Sequence, residues 1–215
     1  MPFASGRDAD VYVVDEHKVL RRYRDGHRIT AEAELMRYAG LRGFPVPTVH
    51  HVDGPDMVIQ RLSGPTVAEA ALDGRLTPTE LGLMHADLHR RLHAIPVPSG
   101  TTGNSLMHCD LHPENVLLTA DGPVVIDWRD AREGPPEFDI AMTAIILAQV
   151  ALDPAFRDLS DLIRESLAVY LEASISPSPQ LEAALTHRGN NPTLSQEELA
   201  LLPAQAALIR SHLTN

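Results

Sequence analysis

Apolar and polar positions change rhythm once along the chain. Up to Leu62 the apolar residues fall in short β-rich runs, at 11–14, 19–23, 48–52 and 57–62. The first two runs are joined by the turn-like Asp15-Glu16-His17 and the last two by Asp53-Gly54-Pro55-Asp56, which predicts two hairpins. Between the hairpins, residues 31–39 read as one helix, with Thr30 before it as a cap and Gly40 just after it.

After Gly64-Pro65 the period becomes helical. Thr66-Val67-Ala68-Glu69 and Thr77-Pro78-Thr79-Glu80 are capping-box patterns, the second with proline at the first helical position. The helix that follows carries Leu81, Met84, Leu88 and Leu92 on one face and stops before Pro96. A Pro/Gly/Ser loop over 96–103 leads to a short hairpin, 116–118 with 124–126. Beyond Asp139 the chain reads as helical to its end, with breaks at Asp153-Pro154, at 176–179 and at 188–192. The expected architecture is α+β and bilobal. A β-rich N-terminal lobe spans residues 1–62, a hinge lies near Gln60 to Pro65, and a larger, mainly helical lobe spans residues 63–215. A cleft between lobes is a common place for a ligand.

Composition narrows the function classes. The chain has 215 residues, enough to bury a core, and a formal charge of −11. So acidic a surface disfavours nucleic acid, which wants a basic footprint. It would attract a cationic substrate, although solubility alone accounts for many acidic proteins. The single cysteine, Cys109, excludes an internal disulfide and a thiolate metal cluster. The first residues lack the pattern of a signal peptide, and the longest apolar run, 140–152, is too short to span a bilayer. A cytoplasmic enzyme with no membrane partner is the expectation.

The chemistry concentrates in His108-Cys109-Asp110-Leu111-His112-Pro113-Glu114-Asn115, followed by an apolar strand that ends in Asp127. A carboxylate that can meet a hydroxyl proton, an Asn five residues on and a second carboxylate after a hairpin are the parts of a phosphoryl-transfer site. The spacing is that of the kinase catalytic loop, H-x-D-x-x-x-x-N, with Asp127 where the metal-binding Asp would stand. A small-molecule phosphotransferase is the reading that follows.

These residues resemble the aminoglycoside phosphotransferase and choline kinase-like family, which shares the protein kinase fold. The segment 108–118 is similar to its H-x-D-L-H-x-x-N-x-L-L signature, Val124-Val125-Ile126-Asp127-Trp128 to its metal-binding Asp, and Phe138-Asp139-Ile140-Ala141 to a later D-[LIV]-A motif. The resemblance implies that Asp110 is the catalytic base, that Asn115 and Asp127 hold Mg²⁺ with ATP or GTP, that His108 braces the loop and that Asp139 supports it structurally. It makes the stretch at Gly6 the nucleotide-covering loop, with one glycine where kinases have several. Gln60, Arg61 and Leu62 become the hinge that meets the adenine edge. The family pairs a strand lysine with a helix glutamate. Here Lys18 is the only lysine, and Arg21, or else Arg22, takes that place, with Glu32 ahead of Glu34 as the paired carboxylate. Arg21 and Arg22 point to opposite faces of the strand, so only one can face the cleft. Arginine still offers a fixed charge and a bidentate fork to phosphate.

The implied partners are a nucleotide and a small hydroxylated acceptor, an aminoglycoside or another amine-bearing alcohol. The missing lysine also motivates an alternative, a catalytically weak nucleotide-binding regulator. The helices after Leu152 are short for the family, which leaves room for a homodimer to complete the pocket. A quaternary ammonium is best held by an aromatic cage, and the second lobe has few rings for one: Trp128, Phe138, Phe156 and Tyr170. A peptide acceptor is disfavoured because no A-P-E segment follows Asp127.

Plainer readings stand beside these. Asp110 with Asn115 could be a polar turn, and His108-x-Asp110-x-His112 could suggest a metallohydrolase, but no further ligands follow at zinc spacing. His85, His89 and His93 lie four apart on one helix, as a metal stripe or, more simply, a packed flank. Cys109 reads as a space filler, Trp128 as packing behind the site, and Asp158, Asp161, Glu165 and Glu172 as a solvated helix face rather than the lining of a cationic pocket.

Overall fold

The computed structural model describes residues 2–5, 9–24 and 29–213. Gly6 lies outside them. The first lobe is an antiparallel sheet of β1 (Ala4–Ser5), β2 (Ala9–Val13), β3 (Lys18–Tyr23), β4 (Val49–Asp53) and β5 (Asp56–Gln60), in the order β1-β2-β3-β5-β4. The helix α1 (Thr30–Gly40) packs beneath it, burying Glu32, Ala33, Met36 and Ala39 at helical spacing. Thr30 is the first helical residue rather than the cap, and Ile29 stands at the cap position without a side-chain hydrogen bond.

Below the hinge, α2 (Val67–Leu72) and α3 (Pro78–His93) both begin with a complete capping box, from Thr66 with Glu69 and from Thr77 with Glu80. Each box satisfies two amides that a helix start leaves open. Two small ladders follow: β6 (Ser105–Met107) with β9 (Arg132–Gly134), and the hairpin β7 (Val116–Thr119) with β8 (Gly122–Val125). The first ladder is invisible to local pattern, because its two short strands are far apart in sequence.

The central helix α4 (Pro136–Leu152) starts before Asp139, contrary to expectation, because Pro136 sits at its first helical position. It is buried nearly all round, as an apolar helix without a polar face should be. Around it pack α3, α5 (Ser160–Ala173), α6 (Leu181–Gly189) and α7 (Gln196–Leu213). No single helix is long and apolar enough to cross a membrane; α4 and the Pro154–Ala173 segment reach that length only as a pair bent by 97°.

Two cores hold the molecule. One surrounds α4. The other crosses residue 62, joining Tyr23, Met36 and Met57 above to Leu81, Leu88, Val116, Val125 and Trp128 below. The hairpin β7–β8 is stitched into this second core by its backbone. Val125 N–H donates to the Pro45 carbonyl at 2.9 Å, and Leu118 N–H donates to the Pro65 carbonyl at 2.8 Å. At the hinge, Gly64 has φ +141°, and a Cβ there would lie 2.0 Å from the Leu118 carbonyl oxygen, so only glycine fits.

Candidate active site

The first turn of α4 anchors the loop that precedes the hairpin. Asp139 is fully buried, and its two oxygens accept the His108 amide at 3.0 Å and the Cys109 amide at 2.7 Å. His93 Nε2 lies 2.9 Å from Asp139 Oδ2 and His89 Nε2 3.5 Å from it. Burial opposes ionisation of Asp139, but the facing His89 and His93 rings outweigh it and hold the carboxyl well below its usual range. The His89, His93 and Asp139 ligand atoms fall within 4.8 Å of one another. Because Asp139 already braces two loop amides, we read this cluster as a hydrogen-bond hub. His85 is also buried, bonds the Leu81 carbonyl at 2.9 Å and is pushed down to about 4 by burial.

From this anchor the loop turns sharply. Cys109 has φ +65° and Asp127 has φ +60°, and these are the non-glycine residues with positive φ among the described residues. Left-handed backbone at non-glycine residues costs free energy and concentrates at functional positions. The His108 ring spans the two segments, with Nε2 3.0 Å from the Ile126 carbonyl and its edge against Trp128 at 5.2 Å between centroids. Trp128 is buried and donates Nε1–H to the Val125 carbonyl at 3.0 Å, as packing behind the site requires. Cys109 is also buried, and burial pushes its thiol pKa up, away from nucleophile chemistry.

The pairing of Val116 with Val125 brings the ends of the hairpin together, and Ile126 N–H donates to the Asn115 carbonyl at 2.9 Å. Asn115 and Asp127 therefore flank one end of it. The Asn115 amide nitrogen donates to the Asp110 carbonyl at 2.9 Å and to Asp110 Oδ2 at 3.0 Å, so the side-chain oxygen Oδ1 takes no part in these bonds. Burial raises the Asp110 pKa, but the hydrogen bond and charge of His112, with further charge from His108 and Arg188, carry it below the usual carboxylate range. Asp110 is thus ionised at neutral pH and able to accept a proton.

On the opposite wall, β3 places Arg21 inward and Arg22 outward. Arg21 Nη1 meets Glu32 Oε1 at 3.1 Å, while Arg22 pairs with Asp56 at 2.5 Å. Glu32 is buried and also accepts the Tyr23 hydroxyl at 2.6 Å, whereas Glu34 is exposed. Arg21 Nη2 then crosses to Asp127 Oδ1 at 2.5 Å. These contacts make Arg21 the cleft-facing residue and leave Arg22 on the opposite face of the strand.

Two cavities meet at this point. One, of about 570 Å³, lies between the lobes and is lined by Arg21, Gln60, Arg61 and Leu62 among others. The other, of about 750 Å³, lies on the helical side and is lined by Asp110, Asn115 and parts of α4 and α6. Asp127 and Glu114 line both. The sequence reading quoted Glu114 and His112 within the motif without giving either a place in the site, and it missed the His187-Arg188 wall at the end of α6. That pair stood at the start of the break over 188–192, which read only as a helix stop. Asp158, Asp161, Glu165 and Glu172 are exposed and line neither cavity, as a solvated face should be. Trp128, Phe138, Phe156 and Tyr170 line neither cavity as well.

The profile of the phosphotransferase enzyme family (APH) matches residues 1–102 and 69–161. No curated protein matches the sequence. Among solved structures, the gentamicin complex of APH(2″)-IIa is similar with a TM-score of 0.61 at 16% identity, over 96% of this chain and 90% of that one. A choline/ethanolamine kinase family protein from Mesorhizobium loti gives 0.56 at 15%, over 98% and 87%. The amicoumacin kinase hAmiN, in complex with AMP-PNP, Ca²⁺ and Ami, gives 0.56 at 18%, over 97% and 87%. The shared property is the fold, bilobal, kinase-like and α+β.

Proposed function

This chain belongs to the phosphotransferase enzyme family, and from that premise we propose that it moves the γ-phosphoryl group of ATP, or of GTP, to a hydroxyl of a small molecule. The observation that carries the reading is the meeting of two cavities at Asp127, with Arg21 and the hinge on one side and Asp110 on the other. A nucleotide in the interlobe cavity would present its terminal phosphate to an acceptor in the second.

In this reading residues 1–62 form the nucleotide lobe and residues 63–215 the catalytic and acceptor lobe. The Gln60 and Arg61 amides already donate to the Thr48 and His17 carbonyls, so the Leu62 amide is the hinge donor offered to a purine edge. Arg21, oriented by Glu32, contacts the phosphates. The oxygen donors of Asn115 and Asp127 suit a hard divalent cation, and magnesium would supply charge neutralisation for the phosphates there. Asp110 orients the acceptor hydroxyl. The hydroxyl oxygen bonds to the γ-phosphorus as the bond to the β–γ bridging oxygen breaks, ADP leaves with the bonding pair, and the hydroxyl proton passes to Asp110. The three neighbours named above are described with ATP-site or acceptor ligands of their own or with a kinase name, which agrees with this assignment in kind. A nucleotide substrate favours the cytoplasm as the place of action.

A second reading, a nucleotide-binding regulator with little turnover, is favoured by one contact: Arg21 sits on Asp127. The two are separated by Asp110→Ala assayed with Mg-ATP and a panel of hydroxylated acceptors. The expected outcome is a loss of transfer of about 10²-fold or more with nucleotide binding retained. Normal turnover in that variant would remove Asp110 from the chemistry. Nucleotide binding without any turnover in the parent protein would favour the regulator.

A further inference from the structure

The acceptor cavity carries all its carboxylates on one side, together with the guanidinium of Arg129. Its carboxylates, Asp110, Glu114, Asp127 and Asp130, all come from the catalytic loop, the hairpin and the residues just after it. The far wall comes from α4, α6 and the loop after α6. Among the described residues lining that wall there is no carboxylate. It offers an apolar floor of Met142 and Ile146, the neutral polar groups of Asn190, Asn191 and Thr193, and one permanent cation, Arg188.

Arg188 is held from behind. Its Nη2 donates to Gln149 Oε1 at 2.8 Å, and Gln149 Nε2 in turn donates to Glu198 Oε1 at 2.7 Å. The relay runs from α6 through α4 to α7, so three helices fix the direction of the guanidinium. The neighbouring His187 ring is packed edge-on against Phe138, 5.6 Å between centroids, which stiffens the end of α6. A preorganised guanidinium is suited to carboxylate and phosphate, and it repels an ammonium.

We infer that the acceptor is a small molecule with a hydroxyl at one end and an oxyanion at the other, the oxyanion bound by Arg188 and the hydroxyl turned to Asp110. The inference rests on the phosphotransferase reading and specifies its substrate class. It departs from the amine-bearing alcohol expected from net charge; Asp158, Asp161, Glu165 and Glu172, which contribute to that charge, face solvent and line neither cavity. Arg188 is a specificity residue here and takes no part in the bond changes.

The test measures transfer from Mg-ATP to four acceptor classes: a hydroxy acid, a sugar monophosphate, a neutral polyol and an aminoglycoside. Product is read by mass spectrometry and ADP release is followed in parallel. The expected result is a preference for an anionic class, and the hydroxy acid and sugar phosphate arms tell carboxylate from phosphate. In Arg188→Gln the ratio of kcat/KM for the anionic acceptor to that for the polyol falls roughly 10- to 100-fold, the scale of a lost hydrogen bond to a charged group. Arg188→Lys, which keeps the charge and loses the fork, recovers part of that ratio. A ratio between acceptors within one variant is insensitive to simple loss of folded protein. Preference of the parent enzyme for the polyol or the aminoglycoside, or an equal fall for every class in Arg188→Gln, overturns the inference. ATP hydrolysis without transfer to either anionic acceptor overturns it while leaving the phosphotransferase reading standing. Absence of both hydrolysis and transfer overturns that reading and the inference with it.

Discussion

Arg21 Nη2 lies 2.5 Å from Asp127 Oδ1, so a basic side chain of the upper sheet covers the carboxylate that we assign to the metal. The same guanidinium is held by Glu32, and Arg21 is only 13% exposed. A cation already rests where a divalent ion would bind. Free metal must displace it, whereas a metal–nucleotide complex offers phosphates that draw Arg21 away. Arg21→Met should therefore raise the affinity for Mn²⁺ alone, roughly tenfold, and weaken Mg-ATP binding, both read by calorimetry. Equal Mn²⁺ affinity in the two proteins would show that the contact does not guard the site.

Asp127→Ala should separate from Asp110→Ala by binding rather than by rate. Loss of the Asp127 carboxylate is expected to weaken Mg-nucleotide binding by about 10-fold or more, a difference visible by calorimetry. If Asp127→Ala bound Mg-nucleotide as tightly as the parent, Asp127 would not be a metal ligand.

Asp139 should be needed for the loop to exist at all. It is fully buried and is the shared acceptor of two loop amides and a histidine. Removal by Asp139→Ala leaves those donors unsatisfied in the interior, at an expected cost of roughly 3–5 kcal/mol. Urea unfolding measures it. A midpoint unchanged from the parent would mean that the loop is held by other contacts.

Acid should destabilise the fold before it reaches ordinary carboxylates. His85 is pushed down to about 4 from its usual 6.5, and His89 and His108 shift in the same direction, each chiefly by burial. Between those pH values the unfolded chain binds protons that the folded chain excludes, so stability rises with pH and is complete above about 6.5. His85 alone accounts for a loss on the order of 3 kcal/mol by about pH 4. The depressed Asp139 adds a further loss below 3.8, its usual value. Denaturation midpoints compared at pH 5 and pH 7.5 should fall at the lower pH, and His85→Gln should flatten the slope. A level profile would contradict the buried, neutral state of these rings.

Gly64 should resist substitution although it lies in a hinge. An added Cβ would meet the Leu118 carbonyl oxygen at 2.0 Å, and the φ of +141° is strained for any other residue. Gly64→Ala is expected to cost roughly 1–3 kcal/mol and to raise the KM for ATP by displacing β7. Thermal unfolding and steady-state kinetics read the two effects separately.

Much of this was legible in the sequence because it is local. The capping boxes at Thr66 and Thr77 and the hairpin after Asn115 each follow from spacing within a few residues, whereas strand alternation said only that one of Arg21 and Arg22 faces the cleft. The approach of Asp110, Asn115 and Asp127 was legible for the same reason, since one loop and one hairpin carry all three. Nothing local marked Arg188. Its place in the cavity depends on α6 folding back over α4, a contact between residues 39 apart that no periodicity encodes. The β6–β9 ladder escaped notice on the same grounds. Thr30 misled because α1 begins one residue early and gains its start from burial of Ile29 rather than from a hydroxyl cap.

The proline carbonyls at 45 and 65 bear on how this molecule breathes. Each receives an amide from the same β-ribbon, one from either arm; Pro45 belongs to the upper lobe and Pro65 to the hinge. Any gaping of the roof has to stretch those bonds or carry the ribbon with it. Asn115 and Asp127, which flank the end of that ribbon, are thereby tied to the upper lobe through Pro45.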